Sequence, residues 1–374
     1  MGLSETQRQI VELAREFART KIEPLAAEWD RTGHFARDVI DELGHLGFLG
    51  MSTPEEFDGM GLDTVTYLLA LEEIAAADAS VAVSLSIHNA IPTTMLARHG
   101  TRAQRERWLR PMARGELLAG FALSEPESGS DAAALRTRAT RSGSEWVLTG
   151  AKAWATNGGT ADLMVVMARS ERGICAFIVP TAVAGYRAGT PEDKMGLRAS
   201  NTVALALDEV RLPADHLVGE EGAGFGYAME ALDVGRLGIA TQAVGIARRA
   251  LEHSVAYCAE RKQFGQALRE FEAVQFHLAD MATRVEAARS LTHAAAARRD
   301  RGEGITMAAS MAKLFASETA MWVTTQAVQL FGGYGYMRDF PVEKLFRDAK
   351  VTEIYEGTSE IQRIIIARGL YPQG

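Results

Sequence analysis

The sequence predicts a mostly α-helical protein with a β domain at its centre: a helical N-terminal domain, a β-barrel-like middle domain and a C-terminal four-helix bundle. Apolar residues recur at helical spacing up to about residue 119, short alternating runs separated by glycines follow, and wide helical stripes return after Gly219. The expected domains span 1–119, 120–228 and 229–374, each of ordinary domain size.

In the first domain, Ile10, Leu13, Ala14, Phe17 and Ala18 share one helix face, Ser4 and Glu5 mark its start, and Pro24 interrupts it. A second helix carries Val39, Ile40, Leu43 and Leu46, and Pro54 to Gly61 reads as a loop. Thr64–Ala77 is helical, and Ser80–His99 is a buried helix with a start or kink at Pro92. Arg102–Arg110 reads as a charged surface helix closed by Pro111 and Gly115. The middle domain offers strand runs at Trp146–Leu148, Leu163–Ala168, Ile174–Val179 and Val203–Leu212, a pattern of antiparallel strands and not of alternating βαβ units. In the last domain, Phe271, Val274, Leu278, Met281, Val285 and Ala288 step by three and four. Helices near 230–260, 271–300 and 305–331, with one more closing the chain, give the bundle.

Composition narrows the function. Of 374 residues, 47% are hydrophobic and 24% charged, as in soluble globular proteins. A net charge of −8 gives no basic footprint for nucleic acid. The eight His show no paired spacing, there is no HExxH or CxxC, and no protein-ligated metal is expected. Cys175 and Cys258 sit among apolar residues and read as buried thiols of a reducing compartment. No apolar run reaches bilayer length and no signal-peptide stretch precedes the first helix, so a cytoplasmic protein without membrane insertion is expected.

Six stretches carry candidate chemistry, each with a plainer reading beside it. Glu356 lies before Gly357 and Thr358, in a loop ahead of a short helix that Thr358 can cap; it is a candidate base, or a carboxylate balancing the helix dipole or pairing with Arg363 or Arg368. Phe121–Asp131 supplies Ser124, Ser128, Ser130 and free backbone N–H groups for a heteroaromatic edge or an anion, or is an interdomain turn. Trp154 and Thr156 face the same side of an extended segment, where Trp154 can stack on a ring or fill a core. Asp233-Val-Gly-Arg236 opens a helix, with Asp233 as cap and Arg236 facing an anion or forming a surface ion pair. Arg261-Lys-Gln-Phe-Gly265 suits a phosphate or a helix C-terminus. Gln329–Gly335 lets backbone approach a ligand, or is a glycine C-cap. No GxGxxG follows a strand, and no Walker lysine or GxSxG occurs.

Together, in this order and spacing, these motifs resemble the acyl-CoA dehydrogenase family over nearly the whole chain, most of all its short-chain and short-branched-chain members. The resemblance implies that family's fold, with FAD between the β domain and the bundle. Phe121, Leu123 and Ser124 would line the flavin, Trp154 and Thr156 its other parts, and Thr358 and Glu360 would also reach it. Arg261, Phe264 and Gln329 to Gly333 (Gln329, Gly332 and Gly333 foremost) would serve the FAD of a neighbouring subunit, in a homo-oligomer of the dimer-of-dimers type. Ser130, Asp233, Arg236 and Gly357 would meet the acyl-CoA, and Glu356 would be the base.

The implied reaction converts a short- or branched-chain acyl-CoA to its 2-enoyl-CoA: Glu356 takes the α-proton, the β-hydrogen leaves as hydride to flavin N5, and an electron-transfer flavoprotein receives the electrons. Two positions qualify the match: Glu272 stands where many members carry Gln, and Gly235 stands where the isovaleryl and long-chain branches place their base. The alternatives are an oxidase, hydroxylase or desulfinase on the same fold, or a flavin-free acyl-binding scaffold.

Overall fold

The computed structural model describes residues 2–371; Met1, where the first expected domain begins, and residues 372–374, where the third ends, lie outside the described residues. Ser4 caps helix Glu5–Phe17 in a reciprocal capping box with Gln7. Pro24 does not end the helical path. After a π-helical turn at Ala18–Ile22 it sits in the first turn of helix Glu23–Thr32, where a missing N–H is harmless. Pro111 likewise falls in the first turn of Arg110–Ala113, so the expected stop there is instead a continuation, and Gln104 and Leu109 of that stretch are buried. Thr64–Ala77 forms as expected, while the buried segment splits at Ile91 into Ala79–Ala90 and Pro92–His99.

The middle of the chain forms one eight-stranded sheet. Its longest strands, Glu145–Thr156 and Thr202–Pro213, pair antiparallel, as do Leu163–Ser170 and Gly173–Pro180. The expected antiparallel sheet is mixed: Ala119–Ala122 lies parallel to Leu163–Ser170, its neighbour in space but not in sequence. Alternation along Thr202–Pro213 buries Val203, Leu205, Leu207, Val210 and Leu212.

Helices Gly224–Glu260, Glu272–Asp300 and Thr306–Phe331 build the last part. The first buries small residues along its middle, which allows close helix approach. The expected single closing helix is two, Pro341–Val351 and Ser359–Gly369, and the loop between them holds Glu356.

Helix Pro341–Val351 is bolted to the rest of the chain. The largely buried Lys344 donates from its ammonium to Asp348 at 2.7 Å and to Asp78 at 2.9 Å, and Asp78 also caps helix Ala79–Ala90. Asp348 accepts the Leu197 N–H at 2.6 Å, and Arg347 pairs with Asp30 at 2.6 Å. The helix leading into the Glu356 loop is thereby tied to both the N-terminal helices and the β domain. Among the described residues, no helix is long and apolar enough to cross a membrane.

Candidate active site

Glu356 adopts the left-handed conformation, φ 52°, followed by Gly357 at φ 94°. For a residue with a side chain this is a sparsely populated conformation that its surroundings must enforce. Here several groups enforce it. Thr358 caps the next helix by accepting the Ile361 N–H. Gln362 Nε2 donates to the carbonyls of Glu356, at 3.2 Å, and Gly357, at 2.9 Å. Lys313 Nζ donates to the Gly357 carbonyl at 2.7 Å. On the other flank, the Tyr355 hydroxyl donates to Gln242 Oε1, and Gln242 donates to Ala79 O at 2.7 Å.

The turn points the Glu356 side chain at the middle of helix Gly224–Glu260, over Gly235. Glu356 as a residue is half-buried, yet both carboxylate oxygens are sealed from water and have no hydrogen-bond partner among the described residues. Desolvation pushes its pKa up to about 7, held back by the positive charges of Lys313 and Arg236. A buried carboxyl without partners, poised near neutrality, is equipped to take up a proton.

Asp233 and Arg236 do not open a helix: Gly224–Glu260 is already three turns long at that point. Asp233 pairs with Arg236 one turn on and accepts the Thr306 hydroxyl at 2.5 Å, while Arg236 Nε is buried without a partner. Burial raises the Asp233 carboxyl against the lowering effect of Thr306 and Arg236.

The loop after Phe121 and the strand end at Trp154 lie side by side. The Ala153 N–H donates to Ser124 O at 2.9 Å, and the buried Lys152 donates to Leu123 O at 3.1 Å and to Glu125 at 2.7 Å. A register shift between Lys152 and Ala155 turns both inward and throws Trp154 outward, 60% exposed at φ 54°. Leu123 and Ser124 thus lie beside the outward-facing Trp154, and Phe121, Leu123, Ser124 and Thr156 are each half-buried. Ser130 is exposed farther along the loop.

Arg261 caps the far end of helix Gly224–Glu260, and Arg261, Gly332 and Gly333 line a cavity of about 440 Å³ with Tyr257, Phe331 and Tyr334. Phe264 projects 94% exposed from the adjoining hairpin, and Gln329 and Glu360 are also exposed. Twenty-six residues separate Gly235 from Arg261, about 39 Å along a helix. The Gly235 region and Arg261 are therefore far apart along one rod.

Sequence reading overlooked Lys313, Gln362, Tyr355 and Gln242. Lys313 had a signal: it stands among Ala309, Ala312, Ala316 and Ala320, a buried small-residue stripe in which a lysine is out of place. Gln362 had none, since nothing local distinguishes it from a surface glutamine.

Three family models match the chain, described as acyl-CoA dehydrogenase N-terminal domain over residues 4–116, middle domain over 120–210 and C-terminal domain over 222–371. A short-chain specific mitochondrial acyl-CoA dehydrogenase of Bos taurus is 45% identical over 370 residues, 98% of this chain and 90% of that protein. The structure of butyryl-CoA dehydrogenase from Megasphaera elsdenii superposes with a TM-score of 0.97 at 42% identity, covering 99% of both chains. A glutaryl-CoA dehydrogenase from Mycobacterium smegmatis in complex with FADH2 gives 0.95 at 32% identity, covering 99% of this chain and 96% of that one.

Proposed function

The chain belongs to the acyl-CoA dehydrogenase family, and we propose that it desaturates a short- or branched-chain acyl-CoA to the 2-enoyl-CoA with Glu356 as the base. The observation that carries this reading is the Glu356 carboxylate, sealed from water, unpartnered and held in a left-handed turn.

The residues fit a flat ring system. Trp154 stands outward beside Leu123 and Ser124, and the ties of Lys152 and Ala153 to that loop fix the shelf on which a ring would rest. Phe121, Leu123, Ser124, Trp154, Thr156, Thr358 and Glu360 would hold the FAD of this chain. Arg261, Phe264, Gln329, Gly332 and Gly333 would, as the family resemblance implies, serve FAD in a second subunit. The same resemblance implies a homo-oligomer. The chemistry FAD supplies when bound is acceptance of a hydride from the thioester β-carbon.

The chain's own part is proton removal and orientation. Glu356, ionised, takes the α-proton in a site without competing water, and its backbone N–H would donate to the thioester oxygen as charge develops there, as the family resemblance implies. Arg236, with Nε unsatisfied, and Asp233, Ser130 and Gly357 would orient the acyl-CoA. Electrons then pass to an electron-transfer flavoprotein. Anaerobic flavin bleaching by butyryl-CoA tests the assignment: Glu356→Gln should lose it by about four orders of magnitude, and near-wild-type bleaching would remove Glu356 from its role. Fast reoxidation by oxygen alone, with peroxide released, would identify an oxidase instead.

A further inference from the structure

We propose that Lys313 is a positioning residue for Glu356: its buried ammonium grips the Gly357 carbonyl and so fixes the turn that aims the carboxylate. The inference rests on the reading of Glu356 as the base.

Two fully buried lysines and one largely buried one make the contrast. Lys152 pairs with Glu125 at 2.7 Å, and Lys344 with Asp348 and Asp78 at 2.7 and 2.9 Å. Both are ordinary paired cations. Lys313 is fully buried, yet no carboxylate of the described residues lies within 4.0 Å of it. Among the described residues, its one hydrogen bond goes to the carbonyl next to Glu356, at 2.7 Å. An unpaired ammonium in a helix interior is expensive to bury. A methionine or leucine would fill the same alanine-lined stripe at no such expense, so packing alone gives no reason for a lysine. What Lys313 does hold is the strained turn, which shares the same carbonyl with Gln362.

Its charge also reaches the carboxylate. The charged and titratable groups facing Glu356 are Lys313 from helix Thr306–Phe331, Arg236 from Gly224–Glu260, Tyr67 from Thr64–Ala77 and Tyr355 from its own loop. Burial raises both tyrosines, which stay neutral, so Lys313 and Arg236 alone favour the ionised base. Burial in turn lowers Lys313 to about 8, opposed first by Glu356.

The experiment measures flavin reduction against pH in the FAD-loaded Lys313→Met, Lys313→Gln and Lys313→Arg variants. Methionine removes both charge and donor: reduction at pH 7 should drop about tenfold, with the acid limb moving up by about one pH unit and a lower plateau. Glutamine keeps a donor for the carbonyl, so the limb should move while the plateau largely stays. Arginine should restore the limb. If methionine yields a flavin-free protein, the glutamine and arginine profiles decide. A wild-type limb and plateau in a flavin-loaded uncharged variant overturns the proposal. Should Glu356→Gln remain active, the base assignment fails instead, so the two failures are distinct.

Discussion

The Glu356 carboxylate rests against the α-carbon of Gly235: a Cβ built there would meet Oε2 at 2.2 Å and the carboxyl carbon at 2.9 Å. Position 235 and position 356 thus face the same small volume from two elements, and glycine at one is the condition for glutamate at the other.

Gly235→Ala follows directly. The added methyl must displace the carboxylate, and an ångström of displacement is worth about 100-fold in a proton transfer. Flavin content is measured alongside, so that loss of cofactor is separated from loss of proton transfer. Stopped-flow flavin reduction within threefold of wild type would refute the contact.

The buried carboxylate should also be a stability defect above neutral pH. Its folded pKa, about 7, is above the ordinary 4.5. The site is therefore most stable below 4.5 and loses stability as pH rises through 7. Glu356→Gln should raise the unfolding free energy of the holoprotein at pH 8 by about 1–3 kcal/mol, with the gain fading towards pH 4.5. Equal melting temperatures at pH 8 would show that the carboxylate is solvated.

Lys152→Met should destabilise the shelf beside Trp154. It strands Glu125, which also accepts the Arg136 and Thr137 N–H groups at 2.5 and 2.9 Å. Breaking such a pair costs about 3–5 kcal/mol, whereas removing both charges with Glu125→Gln recovers part of it. The Glu125 contribution is present above 4.5 and lost as pH falls through its depressed value of about 2. Denaturant midpoints for the two single variants and the double variant check this; strict additivity would contradict the pairing.

Trp154→Ala separates ligand binding from folding. The ring is 60% exposed, so its loss should leave the melting temperature of the flavin-free protein within a degree or two. If the ring stacks on the cofactor, FAD affinity should fall about fivefold or more. Unchanged flavin retention would place the cofactor elsewhere.

Much of the fold was legible because its signals are local. The Ser4 start signal, the bounds of Thr64–Ala77, the Thr358 cap and the alternation along Val203–Leu212 each depend on residues a few positions apart. Where the expectation failed, the local signal fitted more than one place in a helix, and packing chose between them. Asp233 looks like a helix cap, yet Arg236 and Thr306 satisfy it inside a continuous helix. Pro111 looks like a stop, yet it occupies a helical first turn.

The sequence by itself determined the order of helices and strands, the loop that carries Glu356 and the family to which the chain belongs. Only the tertiary structure decided that Glu356 faces Gly235 across 121 positions of chain, 356 minus 235, and that Lys313 and Gln362 hold its turn. Caps and periodicity encode a residue's near neighbours; which distant side chains meet in a sealed space is settled by how the helices pack.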